Sequence, residues 1–316
     1  MSLKSNSDKV VPCDQTELYL DDCMNMLNKL AYNSVDLVVT SPPYCMGKKY
    51  EKKSDDVSTF LEVQRKVITL VQKLLKPGGS MCWQVGYHVV ESEIIPLDFL
   101  VYQVAQEINN NLSEENKLHL RNRIVWTFGH GLNSKMRFSG RHETILWFTK
   151  GKDYRFNLDA IRVPQKYPGK RSYKGPNKGS LSGNPLGKNP SDVWDVSSDV
   201  WDIPNVKANH VEKTIHPCQF PVAIPRRLIK ALAPKDGCIV DPFMGVGTTG
   251  VAAVLENRKF IGSELNPEYY RVALERIKLA SKGELPIRED KPVMLPNRKS
   301  KVAILPESFA KIREGV

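Results

Sequence analysis

Apolar and polar positions along the N-terminal part of the chain alternate between strand-like and helix-like patterns. Residues 18–20 form a short apolar run typical of a strand, residues 23–30 carry apolar side chains at helical spacing, and residues 35–39 form a second apolar run. A longer helix is predicted over residues 57–75, and Lys76-Pro77-Gly78-Gly79 is expected to end it, since proline and glycine disfavour helix interiors. Strands that alternate with helices predict a parallel α/β sheet.

The same alternation continues on both sides of a long irregular region. Residues 150–190 are rich in glycine, proline and serine and lack apolar periodicity, so no regular element is predicted there. The expected strands are residues 80–85, 123–126, 144–148, 238–240 and 260–264, and the expected helices are residues 97–109, 221–232, about 250–256 and 268–280.

Composition narrows the class of protein. Of the 316 residues, 41% are hydrophobic, which is typical of a globular chain, and no apolar run approaches the roughly 20 residues that span a bilayer. The N-terminus lacks the apolar segment of a secretory signal, so a soluble cytoplasmic protein with no membrane partner is expected. The six cysteines are scattered without C-x-x-C pairs, so we expect reduced thiols and no metal site.

The charge favours a polyanionic partner. A net charge of +11 is weak evidence alone, but cations cluster within residues 150–190, where aromatic side chains lie between them. That mixture suits phosphate contact with base stacking, although a disordered linker is the alternative. The cations are Lys152, Arg155, Arg162, Lys166, Lys170, Arg171, Lys174, Lys178 and Lys188, and the aromatic residues are Tyr154, Phe156, Tyr167 and Tyr173.

The first candidate for chemistry is Ser41-Pro42-Pro43-Tyr44, directly after an apolar strand. Two consecutive prolines fix the backbone and lack N–H groups, which leaves the Ser41 hydroxyl and the Pro42 carbonyl as acceptors beside the Tyr44 ring. Such a group of atoms suits a planar amine. A proline turn that merely ends the strand is the alternative.

The second candidate is the sequence G-x-G-x-x-G over residues 245–250, between a predicted strand and a helix, with Glu264 at the end of the next strand. This pattern predicts a nucleoside-bearing cofactor whose ribose contacts Glu264. Asp241 at the strand end disfavours the pyrophosphate of NAD and favours the cationic end of S-adenosylmethionine. A structural glycine turn is the alternative.

Taken together, the motifs resemble those of the β group of DNA amino-methyltransferases, in that group's order, from about residue 18 to residue 280. The tetrapeptide with Thr40 resembles the catalytic motif, residues 75–79 a structural motif, and residues 141–146 the H-E-x-I-L pattern. The basic segment follows, then His216-Pro217 with Pro221, and then the glycine loop with Glu264.

The resemblance implies a role for each matching residue. Ser41, Pro42, Pro43 and Tyr44 would be catalytic. His142 and Glu143 would either form a structural pair or lie near the target base. S-adenosylmethionine would be bound by Asp22, His216, Pro217, Asp241, Pro242, Phe243, Gly245, Gly247, Thr248, Thr249 and Glu264, and DNA by Arg162, Lys166, Lys170, Arg171, Lys174 and Lys178.

The implied fold is a doubly wound, mostly parallel, Rossmann-like methyltransferase sheet with a basic target-recognition insertion. Residues 1–150 would be the catalytic half, 151–210 the target-recognition region, 211–282 the cofactor-binding half, and 283–316 a C-terminal extension. The implied protein is a monomer or homodimer that acts on double-stranded DNA in the prokaryotic cytoplasm, associated with the nucleoid. A restriction endonuclease would act separately.

The target base is left open between two amines. By resemblance, serine at the head of the tetrapeptide points to cytosine N4, while adenine N6 stays the alternative, because either a hydroxyl or a carboxylate can engage an amine. More distant alternatives are an NAD-dependent oxidoreductase, a non-catalytic DNA-binding module and a methyltransferase that acts on RNA. Cys218 lies in a Pro-Cys-Gln sequence like that of cytosine-C5 enzymes, and we interpret it as incidental because it falls within the His-Pro motif.

Overall fold

The computed structural model describes residues 15–44, 56–129, 131, 133–163, 171–180, 184, 186–194, 203–207 and 209–288. Its strands are β1 (Thr16–Leu20), β2 (Val35–Thr40), β3 (Leu75–Val85), β4 (Tyr87–Val90), β5 (Glu93–Pro96), β6 (Leu118–Thr127), β7 (His142–Lys150), β8 (Val193–Trp194), β9 (Cys238–Asp241) and β10 (Lys259–Glu264). Its helices are α1 (Cys23–Leu27), α2 (Val57–Leu74), α3 (Leu97–Asn109), α4 (Ala223–Leu232), α5 (Thr248–Leu255) and α6 (Pro267–Ser281), with a 3-10 turn at Asp159–Ile161.

Eight of the described strands form one sheet in the order β1-β10-β9-β2-β3-β7-β6-β8. Every neighbouring pair is parallel except the two that involve β7, which runs against β3 and β6. The predicted class, a mostly parallel α/β sheet, is therefore confirmed. Strands β4 and β5 form a separate hairpin that the sequence pattern did not predict.

Helices cover both faces of the sheet, because alternate side chains of the central strands point to opposite sides. On β2, Leu37 and Val39 pack with α4, α5 and α6, whereas Val38 packs with α1, α2 and α3. Ile239 and Val240 of β9 divide between the two cores in the same way. This two-sided burial explains the continuous apolar runs in the strand sequences and makes the fold doubly wound.

Strands β2 and β9 are neighbours in the sheet although about two hundred residues separate them in the chain. Leu37 pairs with Ile239, and Val38 with Val240. At the carboxyl ends, the Thr40 hydroxyl donates a buried 2.6 Å hydrogen bond to Asp241 Oδ1. The order of the strands reverses here, and a ligand crevice opens at such a point in parallel α/β sheets.

Several predicted boundaries differ from the observed ones. Helix α1 ends at Leu27, where Asn28 caps it, instead of reaching residue 30. Helix α4 begins at Ala223, after a turn in which the Ile224 N–H donates to the Pro221 carbonyl. The segment expected to stop α2 belongs to β3, and a register shift against β2 between Val35 and Leu37 accommodates it.

The division at residues 150, 210 and 282 stays a prediction. Within residues 151–210, the regular structure of the described residues consists of one 3-10 turn and the short strand β8. The C-terminal extension lies outside the described residues beyond Arg288. In the described part of the chain, no helix is both long and apolar enough to cross a bilayer, and no cluster of metal-ligating side chains is found.

The hydrogen bond between β2 and β9 predicts a stability effect. Thr40→Val should lower the free energy of unfolding by about 1–3 kcal/mol at neutral pH, because the buried Asp241 carboxylate loses a donor. Urea denaturation measures this. Thr16→Val is the matched control, since the buried Thr16 hydroxyl has no hydrogen-bond partner among the described residues. Equal effects of both substitutions would contradict the assigned role of the Thr40 hydroxyl.

Candidate active site

A cleft of about 1230 Å³ opens at the carboxyl ends of β2 and β9. The tetrapeptide after β2 lines one side, and the glycine loop after β9 with the end of β10 lines the other. Residues 216–220, strand β4 and the loop between β6 and β7 contribute further walls. The two candidate sites of the sequence therefore share one cavity.

The tetrapeptide is held by hydrogen bonds of the Tyr44 hydroxyl. This hydroxyl lies 2.9 Å from Ser41 Oγ and 3.3 Å from the carbonyl oxygen of Gln84 at the end of β3. All four residues, Ser41 to Tyr44, line the cleft. Ser41 and Tyr44 thus line the same cleft and are joined through their hydroxyl groups.

Glu143 joins this group through the antiparallel pairing of β3 and β7. Its Oε2 accepts a 2.7 Å hydrogen bond from the Gln84 amide and a 3.5 Å hydrogen bond from the Tyr44 hydroxyl. Burial raises the pKa of the Glu143 carboxyl above its ordinary value. Glu143 thus makes structural hydrogen bonds and also lines the cleft, as His142 does, so both roles stay open for this pair.

The glycine loop turns tightly between β9 and α5. Gly247 caps α5 with a φ of 75°, and a Cβ there would lie 2.8 Å from the Cβ of Ala273 on α6. Gly245 has a φ of 53°, and a Cβ on it would point toward His216 Nε2 at 3.6 Å. Both positions require glycine, the first for packing against α6 and the second for backbone conformation next to the cleft. Thr248 and Thr249 begin α5 and are buried, and the Thr249 hydroxyl donates to the Val39 carbonyl.

Glu264 links the glycine loop to the start of α6. Its Oε2 accepts from the Gly245 N–H at 3.0 Å, and its Oε1 accepts from the Asn266 N–H at 2.8 Å. Burial raises the pKa of the Glu264 carboxyl, while these two backbone donors oppose the rise. Both oxygens are thus held in place at the wall of the cleft, each with a further lone pair for a ligand hydroxyl.

His216 lines the glycine-loop side of the cleft. Its ring packs edge-on against Tyr269 at 4.7 Å between centroids, and its Nδ1 accepts from the Cys218 N–H at 3.2 Å. Burial, with smaller contributions from Lys213 and Arg276, lowers the pKa of His216 to about 4. The imidazole is therefore neutral near pH 7, so this wall adds no positive charge.

Buried polar side chains behind the loop were missed in the sequence. Arg276 of α6 donates a 2.6 Å hydrogen bond to the Val246 carbonyl, and Glu212 accepts from the Val222 N–H at 2.9 Å. Gln219 also donates to the Glu212 carbonyl, which fixes the His-Pro segment. A charged residue in a helix is normally expected to be exposed to solvent, so the sequence offered no signal for the burial of Arg276.

Asp22, Pro217 and Cys218 all lie along the cleft. Asp22 caps α1 by accepting from the Met24 N–H at 2.8 Å, and it follows the end of β1, which neighbours β10. Cys218 is exposed within the His-Pro segment. This location agrees with its interpretation as an incidental member of the cofactor motif.

The donor and acceptor set of the cofactor side fits a cationic nucleoside. Asp22 and Glu264 line this side of the cleft, and the Asp241 carboxyl is buried beside the lining residue Pro242. Burial raises the pKa of Asp241 to about 6, although the Thr40 hydroxyl and the Phe243 N–H oppose the rise. Carboxylates here would repel phosphates and attract a sulfonium or an ammonium group.

The residues expected to bind DNA do not converge on the cleft. Arg162 donates to Asp159 at 2.6 Å and to the Gly187 carbonyl at 3.0 Å, which ties it into its own segment. Arg171 donates to the Gly179 carbonyl, while Lys174 and Lys178 are exposed on the same turn. Lys166 and Lys170 lie outside the described residues.

The family model described as DNA methylase matches residues 35–275, which is most of the chain and includes both sides of the cleft. The chain belongs to this DNA methylase family. The family assignment confirms the predicted β-group amino-methyltransferase of the kind found in restriction-modification systems, with S-adenosylmethionine as its cofactor, and it decides against the NAD-dependent oxidoreductase. The site roles of individual residues stay predictions.

Related proteins extend over the same region. The methylase is 44% identical over 260 residues to the type II methyltransferase M.BglII of Bacillus subtilis, covering 82% of this chain and 68% of that protein. It is 33% identical to the DNA adenine methyltransferase YhdJ of Escherichia coli strain K12, covering 82% of each chain. The solved PvuII DNA methyltransferase, described as cytosine-N4-specific, shares the fold with a TM-score of 0.63 and 20% identity, covering 95% of this chain and 92% of that one.

The raised pKa of Asp241 predicts a pH-dependent loss of stability in the cofactor-free methylase. Between its ordinary value of 3.8 and about 6, the unfolded chain ionises while the folded chain keeps its proton, so unfolding becomes easier as pH rises. The free energy of unfolding, relative to that of Asp241→Asn, should fall by roughly 2 kcal/mol from pH 4 to pH 7. Denaturant titrations of both proteins measure the difference, and a difference that is constant with pH would contradict this pKa.

Proposed function

We propose that this methylase transfers a methyl group from S-adenosylmethionine to the exocyclic N4 amine of cytosine at a specific site in duplex DNA. The observation that carries the proposal is the shared cleft, with the Ser41 hydroxyl and the Tyr44 ring opposite the acidic glycine-loop side. The first side suits an amine, and the second suits a cationic methyl donor.

The tetrapeptide would make the amine nucleophilic. An exocyclic amine attacks poorly because its lone pair is delocalised into the ring. Hydrogen bonds from the amine to Ser41 Oγ and the Pro42 carbonyl would favour a tetrahedral nitrogen with a localised lone pair. Tyr44, fixed through its hydroxyl by Ser41 and Gln84, would stack on the base after the base leaves the duplex.

The cofactor side would hold the donor in line with the amine. S-adenosylmethionine, when bound, supplies an electrophilic methyl group on a sulfonium. Glu264 would accept the ribose hydroxyls, Asp22 would contact the adenine, and Asp241 with Phe243 and Gly245 would shape the pocket for the amino-acid end. His216 and Pro217 would close this pocket. Direct transfer needs no covalent intermediate with the enzyme, so Cys218 has no role in the reaction.

The choice of cytosine rests on the residue at the head of the tetrapeptide. A neutral serine there is typical, by resemblance, of enzymes that act on cytosine N4, and the fold is shared with an enzyme described as cytosine-N4-specific. Adenine N6 is the competing target, because a relative that is 33% identical is a DNA adenine methyltransferase.

Contacts with the duplex would come from the basic region of the chain, although its described residues do not line the cleft. Lys174 and Lys178 are exposed and free to reach phosphates, and Arg171 lies on the same turn. Lys166 and Lys170, which lie outside the described residues, stay proposed phosphate contacts from the sequence, and Arg162 would support its own segment through its bonds to Asp159 and Gly187. We also propose that the methylase acts as a monomer or homodimer at the nucleoid of a prokaryotic cell. A companion restriction endonuclease would act separately.

Nucleoside analysis tests the target base. DNA should be sequenced with modification detection from a host that expresses the full chain, and then digested to nucleosides and analysed by mass spectrometry. The expected product is N4-methylcytidine in its deoxy form, at one recurring sequence. The proportion of modified sites reports activity, and the sequence reports recognition.

Two variants give this experiment its controls. Tyr44→Ala should abolish the modification, because the base loses its stacking partner in the cleft, whereas Tyr32→Ala removes an exposed tyrosine that does not line the cleft and should leave it intact. N6-methyladenine in the digest would overturn the cytosine assignment. Unmodified DNA from a host with folded protein that binds S-adenosylmethionine would overturn catalysis itself.

A further inference from the structure

The loop between β6 and β7 carries two large apolar side chains that none of the described residues covers. Phe138 is 100% exposed and Met136 is 93% exposed, the highest values for large apolar side chains in the described part of the chain. Water-exposed apolar side chains of this size, next to each other on one loop, mark an interaction site more often than an ordinary surface.

The loop stands at the mouth of the cleft. Asn133, Ser134, Arg137 and Gly140 line the cleft, whereas Met136 and Phe138 alternate with those residues and do not line it. The loop thus has one side toward the proposed target-base site and an apolar tip directed away from it. In this arrangement, the tip would lie beside the DNA that delivers the target base to the cleft.

The base of the loop is braced, so its tip has a defined position. The Arg141 guanidinium donates to Asn133 Oδ1 at 2.6 Å and to the Gly140 carbonyl at 3.0 Å. The Ser134 N–H donates to Ser139 Oγ at 3.0 Å, which closes the tip. A Cβ on Gly140 would lie 1.7 Å from the Tyr87 hydroxyl, so the loop packs directly on β4.

The charges around the tip select the kind of partner. In the sequence, Lys135 and Arg137 flank Met136 and Arg137 also precedes Phe138, and residues 129–141 contain no acidic side chain. Apolar side chains between cations suit a duplex, whose phosphates meet the cations while its stacked bases accept the apolar groups. A protein surface would need acidic groups to match this loop.

We propose that Met136 and Phe138 form a wedge that enters the base stack of duplex DNA where the target base leaves it. The inference rests on the proposed function, in which the base is extruded into the cleft. Side chains at the cleft mouth fill the space that the base vacates, while Lys135 and Arg137 hold the adjacent phosphates. The wedge delays return of the base, so a larger share of encounters reaches the tetrapeptide.

The test compares two duplexes that carry the recognition sequence mapped by sequencing. In the first, the target base is correctly paired; in the second, an abasic site lies opposite it, which lowers the cost of extrusion. Single-turnover methylation by the full chain is measured for the wild type, Phe138→Ala and the double variant Met136→Ala/Phe138→Ala. Phe99→Ala is the matched control, because Phe99 is 55% exposed on α3 and does not line the cleft.

The double variant should be slower than the wild type by about tenfold or more on the paired duplex, and within about twofold of it on the abasic duplex. Phe99→Ala should match the wild type on both. Because the wedge side chains are exposed, their removal leaves no cavity, and unchanged thermal unfolding confirms the fold.

Three results would count against the wedge. Wild-type rates for the double variant on the paired duplex, or an equal loss on both duplexes, would overturn it while the proposed function stands; the first result would leave the apolar tip to another partner, such as a second copy of the chain. A wild-type protein that methylates neither duplex would overturn the proposed function and the wedge with it.

Discussion

The active cleft depends on the contact between β2 and β9. Each strand ends in one half of the site, and their parallel pairing with the Thr40–Asp241 hydrogen bond sets the distance between the halves. At the amino ends of β2 and β9, the Asp36 carboxylate accepts hydrogen bonds from the Cys238 N–H and from Lys76. The two strands are therefore also held together where they begin. A polar bond at each end and apolar side chains on both faces leave little freedom for the two motifs to move relative to each other.

The net charge of the whole chain and the charge of the cofactor side of the cleft have opposite signs. The chain as a whole carries a net charge of +11, which draws it to DNA, while Asp22, Glu264 and a neutral His216 line the glycine-loop side of the cleft and Asp241 is buried next to the lining residue Pro242. The attraction of the whole chain for polyanions therefore does not extend into the cofactor pocket. A cationic donor is favoured there, and phosphates of the substrate are kept at the rim.

The elements that could be predicted from the sequence are those that local apolar periodicity determines. The bounds of α3 and the strands that lead to both motifs follow from apolar periodicity. Tyr44 and the glycine loop line one cleft because β2 and β9 are parallel neighbours whose carboxyl ends lie on the same side of the sheet. The hairpin of β4 and β5 was missed because none of its residues is buried and its burial shows no strand-like alternation. The hydrogen bonds of Glu143 and Arg276 depend on tertiary packing between distant segments, and no spacing in the sequence encodes that packing.

The proposed extrusion of the target base into the cleft is tested most directly by a crystal structure. The crystal would contain the full chain, S-adenosylhomocysteine and a duplex that carries the recognition site. We expect an extruded cytosine stacked on Tyr44, with its amine within about 3.5 Å of Ser41 Oγ and of the Pro42 carbonyl. The ribose of the cofactor product should contact Glu264, with its sulfur facing the amine. A target base that stays stacked in the duplex, or a cofactor product bound away from the glycine loop, would contradict the account.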